Sequence, residues 1–235
     1  MSKNPSCLGK YISDRLGITN TNKTNIFKNY YLKTVLSSVL ASNGIINNSN
    51  LSLLPSMIIS PIGTLILLLF HDLSIQNSFR NKTDIKIISR IKNTPYTIII
   101  SIIITLAVSF LYGFVYTKTI KKTKLPSKEM SDRISGKRIW QTFLISLVCA
   151  VALSQALKND DILLIMSIGI ATSLIPSLVN IGLNYGIHRA DKFRMKHSLQ
   201  NVINAKKFGI ATFLINFITL SLGVSIYMHV SCINK

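Results

Sequence analysis

Apolar residues in this chain arrive in blocks, not at the spacing of an amphipathic helix or an alternating strand. Six blocks approach the roughly 20 residues that cross a bilayer core. They run approximately Tyr30–Ile46, Leu51–Phe70, Ile98–Tyr116, Ile139–Leu157, Ile162–Gly186 and Phe208–Val230. The third, IIISIIITLAVSFLYGFVY, carries no charge, whereas the first is diluted by Lys33, Ser37, Ser38, Ser42 and Asn43. A soluble fold would have to bury all six blocks in a core too small to hold them. The pattern predicts an all-α, polytopic membrane helix bundle of about six spans, hence an integral, multi-pass protein; which membrane it occupies is not written in the chain. The expected divisions are a polar tail over 1–29, membrane units over 30–117 and 139–230, a basic linker over 118–138 and a short tail over 231–235.

Two blocks are broken by proline. Leu51–Phe70 contains Pro55, Pro61 and Gly63, and Ile162–Gly186 has Pro176 near its middle. Proline inside a helix removes a donor and clashes with the preceding turn, at a cost of about 3 kcal/mol or more. In hydrocarbon, the freed carbonyls must be met by neighbouring helices, hydroxyls or a lined cavity. Paired interruptions in corresponding segments point to a transporter-type binding site.

The six blocks also fall into two sets of three with one rhythm. A span, a short polar link (Asn47–Asn50, then Lys158–Asp161), a broken span, a long basic connection (71–95, then 187–207) and a plain span occur twice. Three crossings per unit set the second unit upside down, an inverted-topology repeat. Within the long connections, Ile85, Ile88 and Ile91, and later Met195, Leu199, Val202 and Ile203, mark apolar faces. These segments either lie in the headgroup plane or extend the spans that follow.

Charge adds partners but no orientation. Lys+Arg number 27 against 8 Asp+Glu, a formal net charge of +19. The basic residues gather between the spans, with no helix-turn-helix, zinc-finger or aromatic RNA-binding pattern. They predict attraction to anionic lipid headgroups, about 1 kcal/mol per basic residue near the surface, and no nucleic-acid partner. With six crossings, the side holding the N-terminus carries twelve basic residues and the other fourteen, too even for the positive-inside rule. Association into a homo-oligomer is compatible with the composition.

The candidate chemistry is neutral. Around the breaks lie Ser60, Pro61, Gly63 and Thr64 in one unit, and Thr172, Ser173, Pro176, Ser177 and Asn180 in the other. Hydroxyls beside exposed carbonyls suit a small ion or polar solute near the midplane; the bland alternative is a kink satisfied by packed Ser and Thr. Asp, Glu, Lys and Arg within spans would mark an ion path, but Lys33, Asp72 and Asp161 lie only at span ends. His71 with Asp72, and His188 with Asp191, would fall on opposite faces of an inverted repeat, so no metal site is expected. Cys7, Cys149 and Cys232 match neither a metal spacing nor a disulfide framework. No catalytic set, phosphate loop or dinucleotide fingerprint is present, so neither an enzyme nor a cofactor is expected.

The run SNGIINNSNLSLLPSMIISPIGTLI, with Ile59-Ser60-Pro61 and Gly63, resembles the start of the "uncharacterised hydrophobic domain" family, domain of unknown function three-eight-nine. Glu129–Arg133 resembles the family's approach to its second half, and Ile170–Leu178 its later proline element, with Ser177 where a second proline often stands. The resemblance covers about Tyr30 to Val230 and implies a multi-pass membrane protein. Two functions are consistent with these features. One is a small-solute or ion transporter or channel at the facing breaks, and the other is a non-transporting scaffold whose basic loops bind anionic lipid or a partner.

Overall fold

The protein is described from a computed structural model, which places residues 23–62, 85–119, 125–134, 139–159, 174–190 and 198–233. The described residues form seven helices and no strand. They are α1 (Lys23–Asn47), α2 (Asn50–Ile59), α3 (Ile85–Thr119), α4 (Lys128–Ile134), α5 (Ile139–Asn159), α6 (Ile175–Ala190) and α7 (Ser198–Ile233). Two stretches, Pro95–Thr119 of α3 and Leu199–Gly223 of α7, are long and apolar enough to cross a membrane, whereas Asn50–Ile59 and Ile139–Leu153 are shorter apolar helices. The long connections do not break off as separate helices where they are described. Residues from Ile85 run straight into α3, and those from Ser198 into α7.

The link between α1 and α2 is Asn48 and Ser49 alone. Asn48 takes a left-handed φ of 54°, which Asn tolerates better than most residues. The Ser49 amide then donates to the Gly44 carbonyl at 2.9 Å, closing the end of α1 as a Schellman motif. A side chain at Gly44 would run into the backbone of Leu53, so α2 folds back closely along α1.

Side-chain contacts set the directions of the other helices. Along α1 and α3, Tyr30 meets Ser101, Ser38 meets Thr105, Asn43 meets Tyr112 and Asn47 meets Tyr116. Both numbers rise together, so α1 and α3 are parallel. Helices α5 and α7 are parallel for the same reason: Ser146 meets Asn216, and Gly223 lies against Ala150 and Leu153. Helix α6 runs with α3, since Gly182 abuts Leu106 and Ser109 while Gly186 abuts Phe110 and Phe114.

Helix α7 opposes α6. Gly209 touches Ser177 and Ile181, and a parallel arrangement would separate Ala190 from Ser198 by about 33 Å along the axis. The intervening seven residues reach about 28 Å at full extension. Helices α1, α3 and α6 therefore point one way, and α2, α5 and α7 the other. Counting along these pairings brings Pro61 and Pro176 to within about one turn of the same level. Ile62, Ile175, Leu178 and Leu183 join one buried cluster there, with Ala41, Ile45 and Leu53.

The distribution of polarity is inverted relative to a water-soluble bundle. Thr34, Ser37, Ser38 and Ser42 of α1 and Ser101, Thr105 and Ser109 of α3 are fully buried. Leu32, Leu36, Ile99, Ile103, Leu111 and Val115 of the same helices are exposed. On α7, Ile210, Leu214, Ile218 and Leu222 continue an exposed apolar stripe. Water would drive these faces inward at about 25 cal/mol per Å²; small residues and hydroxyls inside with branched aliphatics outside is the arrangement that packs in lipid.

Candidate functional site

The two proline breaks are helix boundaries, not kinks. Ser60 ends α2, its amide donating to the Ser56 carbonyl at 3.2 Å, and its hydroxyl accepts from the Ile62 amide at 3.4 Å. Pro61 follows directly after this C-cap, outside α2, where its missing amide breaks no bond of that helix. Pro176 is the second residue of α6, within the first turn, whose amides have no intrahelical acceptor. The cost expected of proline in a span is therefore avoided at both positions. It falls instead on Pro55 inside α2 and Pro95 inside α3.

Glycine lets α3 and α6 approach closely. A Cβ at Gly182 would overlap the Ser109 hydroxyl and lie 2.8 Å from the Leu106 carbonyl, and one at Gly186 would overlap the Phe110 carbonyl. These two residues form a G-x-x-x-G pair, a pattern that closes helix–helix contacts in membranes. Around this contact the hydroxyls are mostly satisfied along their own helices. Ser42 donates to the Ser38 carbonyl, Ser101 to Thr97 and Ser109 to Thr105, each at 2.7 Å. Such bonds hold the hydroxyls without requiring water.

Polar side chains converge around a cavity of about 200 Å³. Ser177 and Asn180 of α6 form one wall, Gly209 and Thr212 of α7 another, and Ile139 and Thr142 of α5 a third. Glu129, Asp132 and Arg133 of α4 line it as well. Asn180 is 1% exposed and its side-chain oxygen accepts from Asn184 Nδ2 at 3.1 Å. Ser177 is 4% exposed, and its hydroxyl makes no hydrogen bond among the described residues. Arg133 Nε lies 3.4 Å from Glu129 Oε2, one helical turn apart.

Helix α4 is fastened to the far end of α1. The Ser127 hydroxyl donates to the Ile45 carbonyl at 2.6 Å and accepts from the Met130 amide at 3.2 Å, so one oxygen both caps α4 and ties it down. The Glu129 amide donates to Asn48 Oδ1 at 2.9 Å. Met130 is completely buried between these bonds. The Asn48 turn thus holds the helix that lines one side of the cavity.

Of the residues expected at the site, Ser177 and Asn180 line this cavity. Pro176 is buried at the start of the same helix. Ser60 and Pro61 sit at the break but not on the cavity wall. Gly63, Thr64, Thr172 and Ser173 lie outside the described residues. The α4 charges were not anticipated, because the linker reads as a basic connection. The available signal was Ser127 in a capping position just before Glu129, the only glutamate in the chain. Thr142 and Thr212 carry no local signal, since their meeting depends on how α5 and α7 pair.

Fold and cavity together define an all-α protein with two membrane-length apolar helices, packed on an interior that mixes aliphatic side chains with buried hydroxyls and amides. The model of the family described as "domain of unknown function (DUF389)" matches residues 57–222, most of the chain. The protein belongs to that family. No curated protein and no solved structure matches it.

Proposed function

We propose that this chain is a multi-pass integral membrane protein of six crossings, built as two three-crossing units of opposite orientation, that moves a small polar solute or ion through its interior. The observation that carries the membrane reading is the inverted polarity of α1 and α3: buried Thr34, Ser38, Ser101 and Thr105 against exposed Leu36, Ile99 and Ile103. The opposed repeat is supported by helix direction. The parallel pairs α1/α3 and α5/α7 bond across similar sequence separations, 67 for Ser38–Thr105 and 70 for Ser146–Asn216, and the two pairs point in opposite senses.

The transport site is the cavity over Ser177 and Asn180, near the level of the two breaks, as expected of inverted-repeat transporters. Its α5, α6 and α7 walls, with Thr142, Ser177, Asn180 and Thr212, give a solute oxygen and amide partners within the bundle. The basic connections hold the protein against anionic headgroups.

Reconstitution into vesicles, followed by flux of ions and small polar metabolites, tests the reading. Wild-type flux is expected, reduced at least about tenfold in Asn180→Leu, which removes a polar partner worth about 1.4 kcal/mol. Absence of flux across a broad panel, or wild-type flux in Asn180→Leu together with Ser177→Ala, overturns it. A vesicle-bound protein without flux would instead support a membrane scaffold.

A further inference from the structure

Two exposed lysines sit deep along α7. Lys206 and Lys207 lie inside Leu199–Gly223, one of the two stretches long and apolar enough to cross a membrane. Exposed Ile203 stands about one turn before them, and exposed Ile210 and Leu214 follow, so the pair interrupts a lipid-facing stripe. Neither lysine makes an ion pair among the described residues. The Lys207 ammonium lies 5.7 Å from the centroid of the Phe208 ring.

Glycine contacts fix their height. Gly209 lies against Ser177 and Ile181, and α7 opposes α6, so Lys206 stands level with Gly182. Gly182 in turn abuts Leu106 and Ser109, the middle of the uncharged block Ile98–Tyr116 on α3. The first charge on α3 toward this end is Lys118, about ten residues or ~15 Å farther along the axis. That distance is half of a ~30 Å hydrocarbon core. By the same counting, Ile203 of α7 and Leu111 of α3 share one height, at 50% and 58% exposure. Their surroundings differ. Beside Ile203, the Gln200 amide donates to Asn204 Oδ1 at 3.2 Å on the exposed side of α7, whereas Leu111 is followed by exposed Val115.

A charged side chain facing hydrocarbon is costly, and bilayers respond by thinning and admitting polar groups. Snorkelling does not close this gap, because a four-carbon lysine stem reaches less than half of it. The compensating anion must come to the lysines. A second copy of a chain with 27 Lys+Arg and 8 Asp+Glu is a poor source of carboxylate. Lipid phosphate is the plentiful one.

We propose that Lys206 and Lys207 hold the phosphate of an anionic phospholipid at the level of Gly182, so that the headgroup layer dips along this face of α7 while acyl chains cover α3 at the same height. The proposal rests on the membrane reading and is independent of transport.

The test compares two labels at one height. In a chain with Cys7, Cys149 and Cys232 replaced by Ser, a fluorophore is placed on Ile203→Cys or on Leu111→Cys. The protein is reconstituted in vesicles of phosphatidylcholine and phosphatidylglycerol, with a nitroxide quencher on the lipid headgroup or at mid-acyl chain. The label at 203 should be quenched mainly by the headgroup probe, and that at 111 mainly by the acyl probe. Lys206→Gln with Lys207→Gln, both at exposed positions, should turn the label at 203 toward the acyl probe. The same pair should reduce retention of phosphatidylglycerol over phosphatidylcholine in native mass spectrometry, about fivefold per lysine. Lys118→Gln should leave the quenching at 203 unchanged.

Acyl-type quenching at both positions, or phosphatidylglycerol preference unchanged in the double variant, overturns the proposal and leaves the membrane reading standing. Displacement of the lipid by inorganic phosphate also overturns it, since the pair would then serve a soluble anion. Quenching of neither label by either probe sinks the membrane reading and this proposal together.

Discussion

The Ser146 hydroxyl donates to Asn216 Oδ1 at 2.7 Å, joining α5 to α7 across 70 residues of sequence. Both residues are buried, Ser146 at 2% and Asn216 at 4% exposure, so the bond has no water to replace it. Asn216→Ala should lower stability in detergent by about 1 kcal/mol. The coupling to Ser146→Ala in a double-mutant cycle should be about 0.6–1.7 kcal/mol, the range for polar pairs between membrane helices. Strictly additive losses would show that this bond does not hold the pair.

Close packing of α3 on α6 predicts a sharper response. Gly186→Leu forces a side chain into the Phe110 carbonyl and the Phe114 amide, where neither backbone can yield. The variant should lose the folded, monodisperse state on size-exclusion chromatography, and Gly182→Leu should do the same. Overpacking at such a site costs about 1–3 kcal/mol or more. Tyr185→Leu lies between them on an exposed position and should be tolerated.

Tethering of α4 predicts a change that leaves the rest of the bundle in place. Asn48→Gly keeps the left-handed turn but removes the acceptor of the Glu129 amide, and Ser127→Ala removes the bond to Ile45. Together they should release α4, seen as tryptic cleavage at Lys128 and Arg133 accelerated about tenfold or more, for a loss of about 1–3 kcal/mol. Unchanged cleavage with both bonds removed would mean that Met130 alone holds the helix.

The opposed units predict an accessibility pattern. In a background with Cys7, Cys149 and Cys232 replaced by Ser, the single substitutions Asn48→Cys, Lys121→Cys and Lys192→Cys should label from one side of sealed vesicles. Ser78→Cys, Asp160→Cys and Asn234→Cys should label from the other. Residues 78 and 192 labelling from the same side would contradict the inversion.

Much of this architecture is local in origin and was therefore legible in the chain. The apolar blocks mark the helices because burial of about 20 residues in a bilayer needs continuous hydrophobicity. The breaks at Ser60-Pro61 and before Pro176 follow from proline's missing donor and the capping of its neighbours. Even so, sequence reasoning placed the prolines within spans, whereas the structure places Pro61 just past the end of α2 and Pro176 in the first turn of α6, where the missing donor costs little. The Gly182/Gly186 pair emerged only from the packing, because its spacing alone does not name α3 as the partner.

By itself, then, the sequence determined an all-α chain of apolar blocks interrupted at its prolines, and it offered Ser177 and Asn180 among its candidates. Tertiary structure alone decided that Glu129, Asp132 and Arg133 line the same cavity as those two. Their placement depends on Ser127 reaching Ile45, 82 residues away, and Glu129 reaching Asn48, 81 residues away. It also decided the directions of the helix pairs, which rest on hydroxyl and amide contacts some 70 residues apart. No local pattern encodes such pairings, because each side chain looks the same in sequence whichever helix it meets. The physical reason is that propensity and hydrophobicity act over a few residues, whereas the cavity is lined by segments that meet only after the bundle has packed.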